Sequence, residues 1–427
     1  MSEFYLFGFL FVIVITVAIW TLLAILNRFV KRNSPSTSPE DEGVSMEDVV
    51  RLHENGEEQK ALDACNELIA KYPRFSEARW MRGAIYVAMK EDQKAVDEFS
   101  AAIEIHPDSA VSATYYRDRG KAYLLLDKAS LALADFMKAA ELQPDFAGAY
   151  NQGIAHVQLK NYPEAISAFT RAIKISPDNA LAYYERARSY SGLDDYANTL
   201  ANLNEAIRLW PGDEEFLTTR GIYYRITKDF LASLADLTEV LKINPSSVNG
   251  YLNRGLTHME MENYALALAN FTKAEESKPD HADAYYQSGR ALAKLEKFPE
   301  AISSFTKAIN IAPNNPNFYL ERAKSHGALN DFSAAIADLS RAIKLQPDNE
   351  ELYLHRGMFY GKNKEYSASL ADFTEALQID ANDVNAYMNR GVTYYELKNY
   401  ESALLDLNKA VELNPNWAVA YGNRCAC

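Results

Sequence analysis

The sequence predicts an all-α protein in which helix-turn-helix hairpins stack into a solenoid, preceded by one transmembrane helix. Two observations predict the hairpins. A segment, clearest at Asn385–Pro415, recurs at a spacing of 34 residues, and each copy keeps small, aromatic and proline residues at the same places. A third observation predicts the membrane helix, because the run from Phe4 to Leu26 contains no charged residue. One hairpin cannot bury its own apolar face, so neighbouring copies must stack to complete a core.

Each repeat carries a small residue in its first helix, which serves here as the marker of that repeat. The markers are Gly83, Gly120, Gly153, Ala187, Gly221, Gly255, Gly289, Ala323, Gly357 and Gly391. Tyr or His follows three residues later in nine of ten repeats, a small residue after twelve, Phe or Leu after sixteen, and Pro after twenty-four, except at Ala381. Facing small residues allow two helices to approach closely. The proline ends the second helix because it lacks an amide hydrogen and clashes with a continuing helix.

This pattern resembles the tetratricopeptide-repeat family in its spacing and in its Gly or Ala, Tyr, Ala, Phe and Pro positions. The resemblance covers the chain from about Glu42 to its end, with ten matching repeats and a divergent first repeat in which Cys65 takes the Phe position. It implies a right-handed α-solenoid whose first helices line a concave groove. It also implies that the protein binds peptides or partner proteins.

The predicted organisation has four parts: an anchor at residues 4–30, a polar linker at 31–44, eleven repeats at 45–417, and a partial twelfth first helix or end cap at 418–427. The repeats lie near residues 42–75, 76–109, 111–146, 147–179, 180–213, 214–247, 248–281, 282–315, 316–349, 350–383 and 384–417. Pro107 and Gly120 are 13 residues apart where the rule is 10. The repeat at 111–146 is therefore expected to lie out of register, through a longer loop, an extra half-turn or a bend in the groove.

The apolar run near the amino terminus is predicted to be a retained membrane anchor. As a helix, its 23 residues would span roughly 34 Å, enough for a hydrocarbon core of about 30 Å. A cleaved signal peptide is the alternative, but the leader Met-Ser-Glu has no basic residue and no small-residue cleavage site follows. Arg28, Lys31 and Arg32 follow the run, so the repeats are expected on the cytoplasmic side of the membrane.

A stripe of arginines precedes the marker in eight of ten repeats, and a residue fifteen after the marker co-varies with it. Repeats with Arg carry a carboxylate or amide there, whereas the repeats with Gln152 and Ser288 carry Ala168 and Ser304. Co-variation of this kind indicates contact, so we expect an arginine fork within each hairpin rather than an anion-binding stripe. The predicted structural pairs are Arg82 with Glu98, Arg119 with Asp135, Arg220 with Asp236, Arg322 with Asp338, Arg356 with Asp372, and Arg390 with Asp406; Arg186 and Arg254 face Asn202 and Asn270.

The resemblance implies that positions three before, one after and four after the marker line the groove. These positions hold apolar and aromatic residues with six basic residues and no acidic one. They predict a partner of hydrophobic and acidic character, although packing of one first helix against the next is the competing interpretation. The candidate partner-binding residues are Trp80, Arg117, Lys121, Tyr150, Tyr184, Arg188, Arg225, Tyr286, Arg290, Lys324 and Tyr395. No repeat has the Lys and Asn with which some family members grip chaperone tails.

Composition and motifs narrow the function classes. A net charge of −14 and a pI near 5.1 disfavour nucleic acid as a partner. No catalytic motif or metal-ligand spacing occurs, so we expect no enzyme activity, cofactor or metal. The sequence thus favours a membrane-anchored scaffold or adaptor for protein partners, with assembly of a membrane complex as one role. A targeting or import receptor, a co-chaperone-like binder of client segments, and an accessory subunit of a separate enzyme are the alternatives.

Overall fold

The computed structural model describes residues 44–426 and contains, within that range, 23 α-helices and no strand. The helices are α1 (Met46–Glu54), α2 (Glu58–Lys71), α3 (Ser76–Ala88), α4 (Asp92–Ile105), α5 (Ser112–Leu125), α6 (Ala129–Leu142), α7 (Phe146–Gln158), α8 (Tyr162–Ile175), α9 (Ala180–Ser191), α10 (Tyr196–Leu209), α11 (Glu214–Ile226), α12 (Phe230–Ile243), α13 (Val248–Glu260), α14 (Tyr264–Ser277), α15 (Ala282–Lys294), α16 (Phe298–Ile311), α17 (Pro316–Ala328), α18 (Phe332–Leu345), α19 (Glu350–Lys362), α20 (Tyr366–Ile379), α21 (Val384–Glu396), α22 (Tyr400–Leu413) and α23 (Ala418–Ala426). Odd-numbered helices are called A helices and even-numbered helices B helices.

The helices alternate as the repeat predicts, and the described residues fall into two compact regions, one that ends at Pro144 and one that begins at Asp145. Within the C-terminal region each A helix packs against the B helix that follows it, and each B helix packs against the next A helix. The predicted anchor at 4–30 and all but the last residue of the predicted linker lie outside the described residues. None of the described helices is long and apolar enough to cross a membrane.

The irregular spacing before Gly120 is absorbed mainly in a connection. Residues 106–111 form turns between α4 and α5, and α5 then begins at Ser112. The side chain of Ser112 donates a hydrogen bond to the backbone oxygen of His106 across this connection. Of the predicted alternatives, the longer loop is the one present at this position.

Each hairpin is closed by contact between its marker and the residue sixteen positions later on the B helix. Phe271 is fully buried against Gly255, where an added Cβ would lie 2.4 Å from the ring atom Cε1. The two repeats with an alanine marker, at Ala187 and Ala323, have leucine instead of phenylalanine at this position. The flat ring therefore requires the missing Cβ, because core packing tolerates little overlap. Leucine accepts either marker, since it also faces Gly221 and Gly391. The same Gly and Phe combination occurs at Gly83 with Phe99, Gly120 with Phe136, Gly153 with Phe169, Gly289 with Phe305, and Gly357 with Phe373.

The turn inside each hairpin uses a left-handed residue that is not glycine. The residue seven positions after each marker has a φ between 56° and 64°, a region that L residues other than Asn and Asp adopt at a cost. The ten residues are Lys90, Asp127, Lys160, Asp194, Lys228, Glu262, Glu296, Asn330, Lys364 and Lys398. The turn stops the A helix and reverses the chain, as left-handed residues do at helix ends. The first hairpin makes its turn with Gly56 at φ 74°.

Candidate partner-binding face

The surface built by the predicted groove positions of the A helices is called the A face. In all ten marker-bearing repeats, the residue directly after the marker is half-buried, neither enclosed in the core nor fully exposed. In the C-terminal region five of these residues are large and aliphatic, namely Ile154, Ile222, Leu256, Met358 and Val392. The A face thus presents a row of partly covered apolar side chains.

In the N-terminal region, the candidate residues on α3 and α5 are joined through one carboxylate. The indole Nε1 of Trp80 donates to Oδ2 of Asp118 at 2.8 Å, and Nζ of Lys121 donates to Oδ1 at 2.9 Å. Burial alone would raise the pKa of Asp118, but Lys121, Arg117 and the Trp80 hydrogen bond together lower it. Trp80 is itself only 7% exposed. Trp80 and Lys121 therefore already have a partner within the chain.

The candidate residues on α9 also contact partners within the chain. The hydroxyl of Tyr184 donates to Oε1 of Glu215 on α11 at 2.7 Å, and its ring stacks on Phe216 with centroids 4.8 Å apart. Arg188 donates to both carboxylate oxygens of Glu185 at 3.1 Å. Burial raises the pKa values of both Glu185 and Glu215. The tyrosine is thus largely a packing residue, and the arginine belongs to a cluster with two carboxylates.

A similar arrangement lies on α17 and α19. Nζ of Lys324 donates to Glu321 at 3.1 Å and to Glu351 at 3.2 Å. Nε2 of His355 lies 3.5 Å from the same Glu351 carboxylate. Burial, with Lys324 nearby, lowers the pKa of His355. Lys324 therefore bridges two A helices through their carboxylates.

The other candidate residues differ in how far they remain accessible. Arg225 pairs with Glu260, Arg290 donates to Gln287 at 2.9 Å, and Arg117 donates to Thr114 at 3.4 Å. The ring of Tyr150 packs between Phe146 and Phe169, and the ring of Tyr286 packs against Phe305 and Phe318. Tyr395 is the most open aromatic among them, at 36% exposed.

These contacts add acidic neighbours to the basic residues of the predicted groove. Acidic residues two and six positions before the marker, such as Glu185 and Glu215, lie near Lys121, Arg188 and Lys324. The other three basic residues have the partners given above, so all six have a partner within the chain. These acids lie outside the three predicted groove positions of each helix. The signal was available, since an acid three residues before a base on one helix forms a pair. Asp118, Glu185 and Glu321 stand in that relation to Lys121, Arg188 and Lys324.

The arginine stripe lies away from these positions, and its side chains bind the B helices. Five arginines form two-point forks with Nε and Nη2 on the two carboxylate oxygens, at 2.6–2.8 Å. The pairs are Arg119 with Asp135, Arg220 with Asp236, Arg322 with Asp338, Arg356 with Asp372, and Arg390 with Asp406. Arg82 reaches Glu98 at 2.6 Å, and Arg186 and Arg254 reach Asn202 and Asn270 at 2.7 Å. The aspartates are at most 8% exposed. The arginines therefore stabilise the hairpins through hydrogen bonds to buried carboxylates.

A third contact of each fork was not predicted. Nη1 of Arg356 donates to Oγ of Ser340 at 3.0 Å, on the B helix of the preceding repeat. Equivalent bonds join Arg119 to Ser100, Arg186 to Thr170, Arg220 to Asn204, Arg254 to Thr238, Arg322 to Thr306, and Arg390 to Thr374, at 2.8–3.4 Å. The sequence carries a signal for them, because Met137 is the one residue at this position that lacks a polar group, and the following repeat has Gln152 in place of arginine. The arginines therefore join successive repeats as well as the helices of one hairpin.

The chain is a helical-repeat protein of the solenoid class, because its helices alternate in closed hairpins and carry a row of half-buried apolar side chains. Models described as "Tetratricopeptide repeat" match residues 52–110, 252–316, 320–384 and 384–416, and one described as "TPR repeat" matches residues 153–194. The chain therefore carries tetratricopeptide repeats and forms a tetratricopeptide-repeat solenoid.

Among characterised proteins, the chain is similar to the bovine (Bos taurus) Protein SGT1 homolog, with 35% identity over 92 residues, 21% of this chain and 26% of that protein. It is also similar to the rat (Rattus norvegicus) Serine/threonine-protein phosphatase 5, with 28% identity over 95 residues, 22% of this chain and 18% of that protein. The chain thus spans about a quarter or less of the length of these relatives. A solved structure of YrrB, described as "a TPR protein with an unusual peptide-binding site", is 26% identical, with a TM-score of 0.40 over 44% of this chain and 97% of that one.

Proposed function

We propose that this protein is a membrane-anchored interaction scaffold that binds partner proteins or peptides on its A face and assembles them at a membrane. The observation that carries the proposal is the row of half-buried aliphatic residues directly after the markers, such as Leu256 and Val392. Apolar side chains in a contiguous row are costly to leave in water, and such rows are typical of protein interaction sites. The protein partners expected of tetratricopeptide repeats fit this surface.

The membrane part of the proposal rests on the sequence. The uncharged run Phe4–Leu26 supplies the length of a spanning helix, and Arg28, Lys31 and Arg32 follow it. These charges favour a cytoplasmic location for the repeats. In sealed vesicles whose cytoplasmic face is outward, added protease should degrade the repeats of the full chain. Repeats that are spared would lie in the lumen and would contradict the cytoplasmic location.

The experiment that tests partner binding is photocrosslinking in cells from defined positions of the full chain. A photoreactive amino acid at Leu256 or at Val392 samples the A face, and the same group at Leu231 on α12, which is 77% exposed, is the matched control. We expect discrete adducts from the A-face positions and none of the same mass from position 231. Adducts from the control alone would overturn the proposal.

The same crosslinks separate the scaffold from its alternatives. A scaffold gives a small set of stoichiometric partners, whereas an import receptor or a binder of client segments gives a heterogeneous set of incompletely folded chains. Repeating the crosslinks in a variant without residues 1–43 tests the anchor. Adducts with membrane proteins should be lost in that variant, and their retention would contradict the role of the anchor.

A further inference from the structure

The C-terminal region contains a longer repeat, in which every fourth hairpin is alike. From Gly153 onward, the markers read Gly, Ala, Gly, Gly and then Gly, Ala, Gly, Gly. The position two after the marker repeats with the same period: Ala155, Ser189, Tyr223 and Thr257 are followed by Ala291, Ser325, Phe359 and Thr393. Single hairpins of one family share their core positions, but a period of four hairpins at such a position is not expected from hairpin folding alone.

Longer identical stretches follow the same period. Pro163-Glu-Ala-Ile-Ser167 returns as Pro299-Glu-Ala-Ile-Ser303, Glu185-Arg-Ala187 as Glu321-Arg-Ala323, and Ser233-Leu-Ala-Asp236 as Ser369-Leu-Ala-Asp372. Glutamate occurs two residues before the marker only at Glu185 and Glu321. Helices α7–α14 therefore form one four-hairpin block, called block 1, and helices α15–α22 form a second, called block 2.

Hydrogen bonds between polar side chains repeat with the blocks. Oγ of Ser189 donates to the backbone oxygen of Glu185 at 2.9 Å, and Ser325 makes the same bond to Glu321 at 2.9 Å. Buried hydroxyls of the third and fourth hairpins also meet in both blocks, as Ser233 with Thr257 at 3.0 Å and Ser369 with Thr393 at 3.3 Å. The two blocks are thus equivalent in local structure as well as in sequence.

Each block places the same charged group on its A face. Block 1 has Glu185 and Arg188 on α9 and Glu215 on α11, and block 2 has Glu321 and Lys324 on α17 and Glu351 on α19. In each group two carboxylates surround one cation, which leaves one negative charge in excess. The cation stays partly accessible, with the side chain of Arg188 39% exposed and that of Lys324 34% exposed.

Among the described residues of block 1, Arg188 is the one cation that acts on Glu185 and Glu215. In block 2, Arg290 and Asp283 act on Tyr286 together with Glu321 and Glu351, and their opposite charges leave the excess unchanged. In block 1, Glu185 is only 9% exposed, and burial raises the pKa values of Glu185 and Glu215. In block 2, His355 beside Glu351 does not offset the charge at neutral pH, because burial lowers the pKa of its imidazole. A second cation from outside would restore the balance in both groups.

Apolar residues lie beside each group in the same order. The two hairpins after the charged hairpin carry Ile222 and Leu256 directly after their markers in block 1, and Met358 and Val392 in block 2. All four are half-buried in the free chain. Each block therefore offers a negative group followed by two aliphatic contacts along the A face.

We propose that blocks 1 and 2 form two equivalent docking sites, and that the occupant is a partner with two copies of a segment in which a lysine or arginine is flanked by apolar residues. The basic side chain contacts Glu215 in block 1 or Glu351 in block 2, the less buried carboxylate of each group, and the apolar residues contact the aliphatic pair beside them. This inference rests on the proposed function, which places partner binding on the A face, and adds to it the charge of the partner and the number of sites. Two linked segments on one partner would bind about 10²–10⁴-fold more tightly than one, because the second contact forms within the complex.

The test uses the full chain in detergent micelles as the target for short random peptides displayed on phage. A selected peptide is then synthesised and titrated into the protein by calorimetry. We expect selected peptides to contain Lys or Arg beside apolar residues and to bind with a stoichiometry of two per chain. Glu215→Gln and Glu351→Gln should each lower the stoichiometry to one, and the double variant should abolish binding. Glu276→Gln, which changes an exposed residue of block 1 in an ion pair with Lys273, is the matched control and should retain two sites.

The outcomes separate this inference from the proposed function. Peptides that bind once per chain, or that are acidic, and that lose affinity in a Leu256→Ala and Val392→Ala variant would overturn the two basic-segment sites while leaving the A face as the binding surface. Peptides whose affinity is unchanged by every A-face substitution would overturn both. Circular dichroism of each variant verifies that it is folded before its titration is interpreted.

Discussion

Arg356→Ala is the sharpest test of how the hairpins are held together. Arg356 makes a two-point fork to Asp372 at 2.7 Å for both bonds, a third bond to Ser340 at 3.0 Å, and lies over the rings of Tyr353 and Tyr360. Asp372 is 4% exposed. Truncation to alanine leaves this carboxylate without its cation in a poorly solvated site. Breaking a buried pair in this way costs about 3–5 kcal/mol, and since the arginine side chain is 18% exposed, we expect about 2–4 kcal/mol after partial solvation.

The assay is urea unfolding followed by circular dichroism, with hydrogen exchange to locate the loss. Repeat proteins open locally, so exchange should accelerate first in α19, α20 and the adjoining α18. Arg341→Ala on α18 changes an exposed arginine and should alter stability by no more than about 0.5 kcal/mol. The double variant Arg356→Ala with Asp372→Ala should be more stable than the sum of the single losses predicts, because it leaves no unpaired charge. Unchanged stability of Arg356→Ala together with lost partner binding would refute the structural role and make the arginines binding residues.

Four further changes test the packing, the turns and the buried groups. Gly255→Ala should destabilise the fold by about 1–3 kcal/mol through overlap with Phe271, and Phe271→Leu in the same chain should recover part of that loss in urea unfolding; equal stability of both variants would argue against the ring contact. Lys228→Gly, at φ 64°, should raise the free energy of unfolding by about 1 kcal/mol because glycine relieves the left-handed strain, whereas Lys228→Ala should not. Burial raises the pKa of the Cys65 thiol to about 12, so in a variant with the other two cysteines changed to serine the thiol should react with maleimide only on unfolding; rapid labelling of the native chain would contradict this. Burial also raises the pKa of Glu215, so the folded chain holds that proton more tightly than the unfolded chain and the charged form opposes folding. Glu215→Gln should therefore stabilise the chain at pH 7, with a gain that vanishes below the unfolded pKa; a constant gain across pH would exclude this cause.

The fold was largely predictable because its determinants are local and repeated. The same positions recur in each repeat, as with the marker Gly255, the ring of Phe271 and the proline Pro279. The pattern of one hairpin therefore predicts the structure of the next. The partners of the arginines were also predictable from the sequence, since co-variation among repeats of one chain identifies contacts without other sequences. The period of four hairpins could have been found in the same way, because Glu185 and Glu321 stand in equivalent places of the two blocks.

The electrostatic character of the A face was not predictable from the positions chosen. The sequence gives Arg188 and Lys324 as basic residues on a predicted groove, but their net effect depends on which acids the helix packing brings beside them. Glu215 belongs to a different hairpin from Arg188, and the approach of α9 to α11 unites them in one group through Tyr184. A charge assignment from one helix at a time therefore leaves out the carboxylates that neighbouring helices contribute.

The sequence by itself determined the hairpin, its length and its closing contacts, because these follow from spacing along one helix or between two neighbours. Only the tertiary structure decided which polar groups of separate hairpins meet. It showed that each arginine fork reaches back to the preceding repeat, as Arg356 does to Ser340, and that the basic residues of the A face are paired rather than free. The physical reason is that charges and hydrogen bonds depend on distances across several ångströms of packed helices, whereas the apolar pattern needs only the period of the helix.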